Sequence, residues 1–280
     1  MSNEVERIAA IEDPILLLRR ATERLAAAQR DVTELGRLRR RVIQDLVGQG
    51  MSYGQIAEAA GLSRGRIHQI RHKGPAPEGA FLGTGLIRIL TPLKRDEIKG
   101  RPVVAVEDVA ASQRLEDLAH SYGFDVEQEH IPLDGEVDLN RPNLIVICGP
   151  RLSEPMRQLY EHDPVINWEK TPTGSWALRD TATNKLYTSG SDHDPAETYD
   201  AAYLGRLPRP DGQGRIIVFT GIHPQGTLGV VHLLTSEVDS LWGQLRDREF
   251  SVVLGVKYDP DSHEPVKVDQ LTPFYRHDEV

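Results

Sequence analysis

The stretch SYGQIAEAAGLSRGRIHQI, Ser52 to Ile70, leaves its backbone few options. Ser52 stands where the free amides of a helix's first turn need an acceptor, and Ser63 repeats that role downstream. Gly61 between them suits a turn that requires a left-handed backbone. The pattern predicts short helices over 52–60 and 63–72. Ile56 and Ala57 face inward, with Ala57 small enough for two helices to cross closely, and Leu62 is expected to plug the corner. Ile67 and Ile70 lie three apart and point to the same core. Arg64, Gly65, Arg66, His68, Gln69 and Arg71 are left on the other faces.

A long helix is predicted upstream, over 14–47. Asp13 can cap it, and Pro14 suits the first helical position, where its missing N–H costs nothing. Leu18, Leu25 and Val32 recur every seven residues, with Ala21, Ala28, Leu35 and Val42 between them. Gly36 is a point at which this helix could divide. The seam fits either an amphipathic helix packed on its own domain or a helix that pairs two copies of the chain. Charge is unevenly spread. The whole chain carries −9, yet residues 1–75 hold 13 Lys+Arg against 9 Asp+Glu. Between Gly36 and Lys73 the balance is 8 to 2. Such asymmetry is a domain-level signal that the whole-chain figure hides.

Set side by side, LRRRVIQDL, SYGQIAEAAGLS and SRGRIHQIR read as a preceding helix, a first helix with its turn, and a second helix rich in hydrogen-bond donors. This segment, about residues 37–72, resembles the helix-turn-helix of sigma-70 region 4 and of sigma-like DNA-binding regulators. The resemblance implies that the second helix enters the major groove of double-stranded DNA. It makes Ser63, Arg64, Arg66, His68 and Gln69 candidates for base or backbone contact, and Arg39, Arg40, Arg41, Arg71 and Lys73 candidates for phosphate contact. No sigma region 2 precedes the motif, so a stand-alone regulator is expected rather than a sigma factor. One hairpin binds DNA weakly. A homodimer through the N-terminal helix would reach successive half-sites about 34 Å apart.

Hydrophobic content of 39% and charged content of 27% leave room for packed cores in 280 residues. Cys148 stands alone, which excludes an intrachain disulfide and a multi-Cys zinc site. No run is apolar for the roughly 18 residues a membrane span needs, and the N-terminus lacks a signal-type apolar run, so a cytoplasmic, nucleoid-associated protein is expected. The sequence divides into a helical domain over 1–73, a linker over 74–85 rich in Gly and Pro, and an α/β domain over 86–280. In the last, RPVVAVED, FDVEQEHIP, NLIVICGP, AAYLGRLP, GRIIVFTG, FSVVLGVKYD and EPVKVDQLTPF read as strands, and GSWALRD with KLYTSG as a hairpin. AASQRLEDLAHSYG, RLSEPMRQLYEH and TLGVVHLLTSEVDSLWGQL read as helices. This alternation predicts a Rossmann-like α/β domain with a mostly parallel central sheet and some antiparallel edge strands.

Ligands of open α/β sheets bind at the carboxyl ends of strands. Three such loops stand out. Gly149, Pro150, Arg151 and Ser153 form a strand-to-helix turn that could hold an anion or simply cap a helix. Gly221, His223, Gln225, Gly226 and Thr227 form a glycine-rich turn that lacks the lysine of a P-loop and misses the dinucleotide pattern. Glu107 and Asp108 could accept ribose hydroxyls or cap a helix. No metal site and no cofactor are expected. The leading expectation is a transcription regulator whose α/β domain senses a small phosphorylated or nucleotide-like effector. Two alternatives stay open. One is a nucleotide- or glycoside-cleaving hydrolase using His223 with Glu107 or Asp108; the other is a protein-interaction adaptor.

Overall fold

The computed structural model describes residues 2–96 and 98–279, in two compact units. The first comprises the chain up to Pro77 with Thr84–Leu86 and Tyr122–Phe124; the second comprises Glu78–Gly83, Ile87–Ser121 and everything from Asp125 onward.

The first unit contains α1 (Ser2–Ala9), α2 (Pro14–Gly48), α3 (Tyr53–Ala60) and α4 (Arg64–Lys73). The Asp13 carboxylate accepts from the amides of Ile15 and Leu16 and so starts α2 with Pro14 in its first turn. Gly36 does not divide the helix. A Cβ there would lie 3.1 Å from the Pro75 ring, so the glycine serves close approach, not a break. Ser52 caps α3 in a full capping box with Gln55, Gly61 turns the chain at φ +64°, and Ser63 caps α4 through the Arg66 amide. Ile43, Ile56, Ala57, Ile67 and Ile70 form the core, joined by Leu46, Val47, Met51 and Tyr53. Leu62 does not plug the corner: it is exposed, and its amide instead bonds the Ala57 carbonyl.

The second unit follows the order β1 (Ile87–Pro92), β2 (Lys94–Arg95), β3 (Pro102–Val103), α5 (Val106–Ser121), β4 (Val126–Ile131), β5 (Leu144–Ile147), α6 (Glu154–Tyr160), β6 (Ile166–Lys170), β7 (Trp176–Asp180), β8 (Lys185–Tyr187), β9 (Tyr199–Pro208), β10 (Arg215–Gly221), α7 (Pro224–Leu245), β11 (Phe250–Tyr258), β12 (Pro265–Gln270) and β13 (Tyr275–Arg276). The main sheet runs β12-β11-β9-β10-β5-β1-β4, with β13 beside β11. β10, β5, β1 and β4 are mutually parallel, whereas β9 is antiparallel to both β10 and β11. Helices α5 and α7 pack on each other and on the strands. Another layer sets α6 and the β6-β7-β8 sheet against Leu90, Val146, Tyr203, Val218 and Val253.

Two strand assignments change. RPVVAVED contributes only the two-residue β3, because its apolar residues are not enclosed and Val106 already belongs to α5. The central strand is instead IRILTP, whose Ile87, Ile89 and Leu90 are fully buried while Arg88 reaches Glu127. The Gly- and Pro-rich segment is not featureless: Pro77–Phe81 forms a 3-10 turn, and Phe81 and Leu82 are buried. The Arg206 guanidinium donates to the Phe81 carbonyl at 2.7 Å and lies over the Phe81 ring.

Gly229 marks a very close helix-to-sheet approach, since a Cβ there would overlap the Val256 side chain down to its own Cβ. Gly229→Ala is expected to destabilise the second unit by about 1–3 kcal/mol despite alanine's better helix propensity. The denaturant midpoint measures this; an unchanged or raised midpoint contradicts the packing described.

Candidate functional site

Burial of Ile67 and Ile70 fixes which way α4 faces. Arg64, Arg66, His68, Gln69 and Lys73 are thereby exposed, together with the cap residue Ser63. Arg66 donates to Gln69 Oε1 at 2.7 Å, which aligns two long side chains one turn apart. Among the described residues no acidic side chain pairs with Arg39, Arg41, Arg64, Arg66 or Lys73. Arg71 behaves differently: it donates to the Tyr53 hydroxyl and stacks over that ring, tying α4 to α3. Arg40 donates to the Gly74 carbonyl at 2.7 Å and holds the end of α4 to α2. The outward basic surface is therefore made by a subset of the arginines predicted for it.

A cleft opens at the carboxyl ends of β1, β5 and β10. Its lining includes Lys94, Asp108, Arg151, His223 and the indoles of Trp168 and Trp176. The structure thus brings Gly149, Pro150, Arg151, Gly221, His223 and Asp108 to one place. Lys94 bonds Asp108 at 3.0 Å. Burial raises the Asp108 carboxyl above its ordinary range, against the pull of the lysine. His223 Nε2 lies 2.8 Å from Asp192 Oδ1, while Asp192 Oδ2 is buried without a partner. Cys148 also lines the cleft, but burial pushes its thiol up to about 12, which makes it a poor nucleophile.

Other predicted residues have internal duties. The Ser153 hydroxyl donates to the Gly135 carbonyl and caps α6 through the Met156 amide. Thr227 Oγ1 accepts from the Gly221 amide. The Gly226 and His223 amides both donate to Asp200 Oδ2, so the start of α7 already faces a carboxylate of its own chain. Glu107 meets His263 at 2.7 Å, with the Gln225 amide 3.4 Å from the same ring nitrogen. His223 therefore pairs with neither Glu107 nor Asp108.

Residues 33–75 match the family model of sigma-70, region 4. The sigma-70 region 4 segment thus spans the C-terminal part of α2, all of α3 and α4, and supports a DNA-binding regulatory role for the chain. Neither a curated protein nor a solved structure matches. No helix among the described residues is long and apolar enough to cross a membrane.

Lys94, Trp168, Trp176 and Asp200 were not singled out from sequence. Asp200 did carry a signal, as an acid directly before the strand run AAYLGRLP. Burial raises its carboxyl to about 7, opposed by the His223 and Gly226 amides. An unfolded aspartate titrates near about 4, so folding favours the protonated form. Stability from this group is full below about pH 4 and is lost as pH rises toward 7. Asp200→Asn keeps an acceptor but cannot ionise. Its melting temperature is expected to gain on wild type steadily between pH 4 and 7; a pH-independent difference excludes this account.

Proposed function

We propose that the chain is a DNA-binding transcription regulator. In this reading α4 lies in the major groove, the Rossmann-like α/β unit binds a small phosphorylated or nucleotide-like effector, and two copies join through α2. One observation carries the DNA-binding part. Within the sigma-70 region 4 segment, the face of α4 opposite its core presents Arg64, Arg66, His68 and Gln69 to solvent with no acidic partner among the described residues. Arginine can bond both acceptors of guanine, glutamine can pair with adenine, and Arg39, Arg41 and Lys73 can neutralise phosphates. Arg40 and Arg71 support the reading from within, by fixing the module that carries those groups.

The cleft supports the effector. Arg151 and Lys94 offer cationic donors, and Trp168 and Trp176 offer flat apolar faces beside them. An anionic group attached to a planar ring is the chemistry such a lining recognises. Effector and DNA would then be coupled by about 1–3 kcal/mol, with each raising or lowering the affinity for the other by the same factor. One observation favours a second reading. The His223–Asp192 pair is an oriented imidazole at the mouth of the cleft, suited to take a proton from water in a nucleotide- or glycoside-cleaving hydrolase. Incubation with nucleotides and NAD-like compounds separates the two: thermal stabilisation without products marks a sensor, turnover marks the enzyme.

Arg64→Ala and Arg66→Ala are each expected to weaken binding to a selected duplex by about 1–3 kcal/mol and to relax base preference. Lys73→Ala should weaken binding evenly and lower the salt slope by about one. Unchanged affinity of both arginine variants in a salt-controlled titration removes the DNA-reading proposal. In parallel, Arg151→Ala is expected to abolish any thermal shift given by nucleoside phosphates.

A further inference from the structure

The face of α2 that bears the seven-residue repeat is uncovered. Leu18 is 62% exposed, Leu25 60%, Val32 71%, Leu35 58% and Val42 45%. These residues, with Ala21 and Ala28, form one stripe about 36 Å long at 1.5 Å per residue. The stripe is separate from the side chains α2 gives to its own core, which are Ile43, Leu46 and Val47. Several large apolar side chains aligned in water are unusual unless something covers them. Alternation of three and four residues is the spacing by which one helix covers another.

We infer that the partner is a second copy of α2 running antiparallel, with the two-fold axis between Ala26 and Ala27. The order of large and small residues selects this arrangement. In a parallel pair in register, Leu25 meets Leu25 and Ala28 meets Ala28, so a thick layer adjoins a void. Arg39, which continues the line of Leu18, Leu25 and Val32, meets its own like charge. In the antiparallel pair Leu25 faces the partner's Ala28, Val32 faces the partner's Ala21 and Leu18 faces the partner's Leu35. Arg39 then falls opposite the partner's Pro14, alongside the exposed Glu12 and Asp13 of the partner subunit. In this register Leu25 and Val32 each meet a small residue and Arg39 meets opposite charge, and in the parallel one neither holds.

The geometry sets the reach of the dimer. Ile43 anchors α2 in the helix-turn-helix core about 16 residues from the axis, or about 25 Å along the helix. The two modules therefore attach about 50 Å apart, more than the ~34 Å turn that separates adjacent major-groove half-sites. Half-sites more than one turn apart, or on separate duplexes, fit this spacing.

This inference rests on the proposal that α2 joins two copies, and the test separates the two. Sedimentation equilibrium of the full chain without DNA should give the dimer mass. Leu25→Glu with Val32→Glu should give the monomer mass with an unchanged circular dichroism spectrum, since both positions are exposed. Leu18→Cys and Leu35→Cys, reduced, mixed and reoxidised in glutathione buffer, should form a covalent dimer that neither forms alone. A monomeric wild-type chain overturns dimer and orientation together. A dimer in which Leu18→Cys links to itself overturns the antiparallel arrangement and leaves the dimer standing.

Discussion

What the N-terminal module can present depends on the burial of Ile67 and Ile70 against Ile43, Ile56 and Ala57. Those two isoleucines are the only apolar residues in α4. Their contact therefore decides the rotation of the helix about its own axis, and with it the direction of every basic side chain it carries. Loss of one such side chain leaves a cavity in a small core and costs about 2–5 kcal/mol. The caps at Ser52 and Ser63 and the left-handed Gly61 set where each helix begins, but not which face is inward. Rotation comes from packing alone.

The α/β unit depends in a comparable way on one carboxylate. Asp200 sits fully buried on β9 and accepts the amides of His223 and Gly226 at the start of α7. Helix starts of this kind need acceptors for their free amides, and here the acceptor is covalently part of the chain. That arrangement brings β9, β10 and α7 together and aims the His223 ring at Asp192. It also moves the place where an outside anion could bind, from the glycine turn to the side chains of Arg151 and Lys94 across the cleft. Gly221 and Gly226 approach each other and Asp200 too closely for any side chain, so their glycines answer an internal contact.

Much of the fold was legible in the sequence where local chemistry and burial agree. Asp13, Ser52, Gly61 and Ser63 act as caps and turn because their reasons lie within four residues. NLIVICGP became β5 because all four of Leu144–Ile147 are enclosed. The central β1 was missed because Arg88 interrupts its apolar run, and RPVVAVED was over-read because apolar residues there reach the surface. The candidate cleft was legible as three strand ends, yet its indoles and Asp192 come from the β6-β7 hairpin and the loop after β8. No local rule brings them to β5 and β10; only the packing of one sheet on another does.

The arginines make the same point about function. Arg40 holds the end of a helix, Arg71 is stacked on Tyr53, and Arg64 and Arg66 face solvent. Arg206 is buried, its guanidinium lowered to about 10 by desolvation and satisfied by three carbonyls. Charge density near residues 36–73 correctly marks a basic module, because long-range potential sums over all of them. It cannot say which cations are available, because a guanidinium committed to a carbonyl or a ring still counts as one charge. Availability is set by what else lies within hydrogen-bond reach. For α4 the inner side meets apolar residues, while on the outer side no acidic group among the described residues meets Arg64 or Arg66, and that asymmetry makes its outward face a candidate reader and not merely a basic surface.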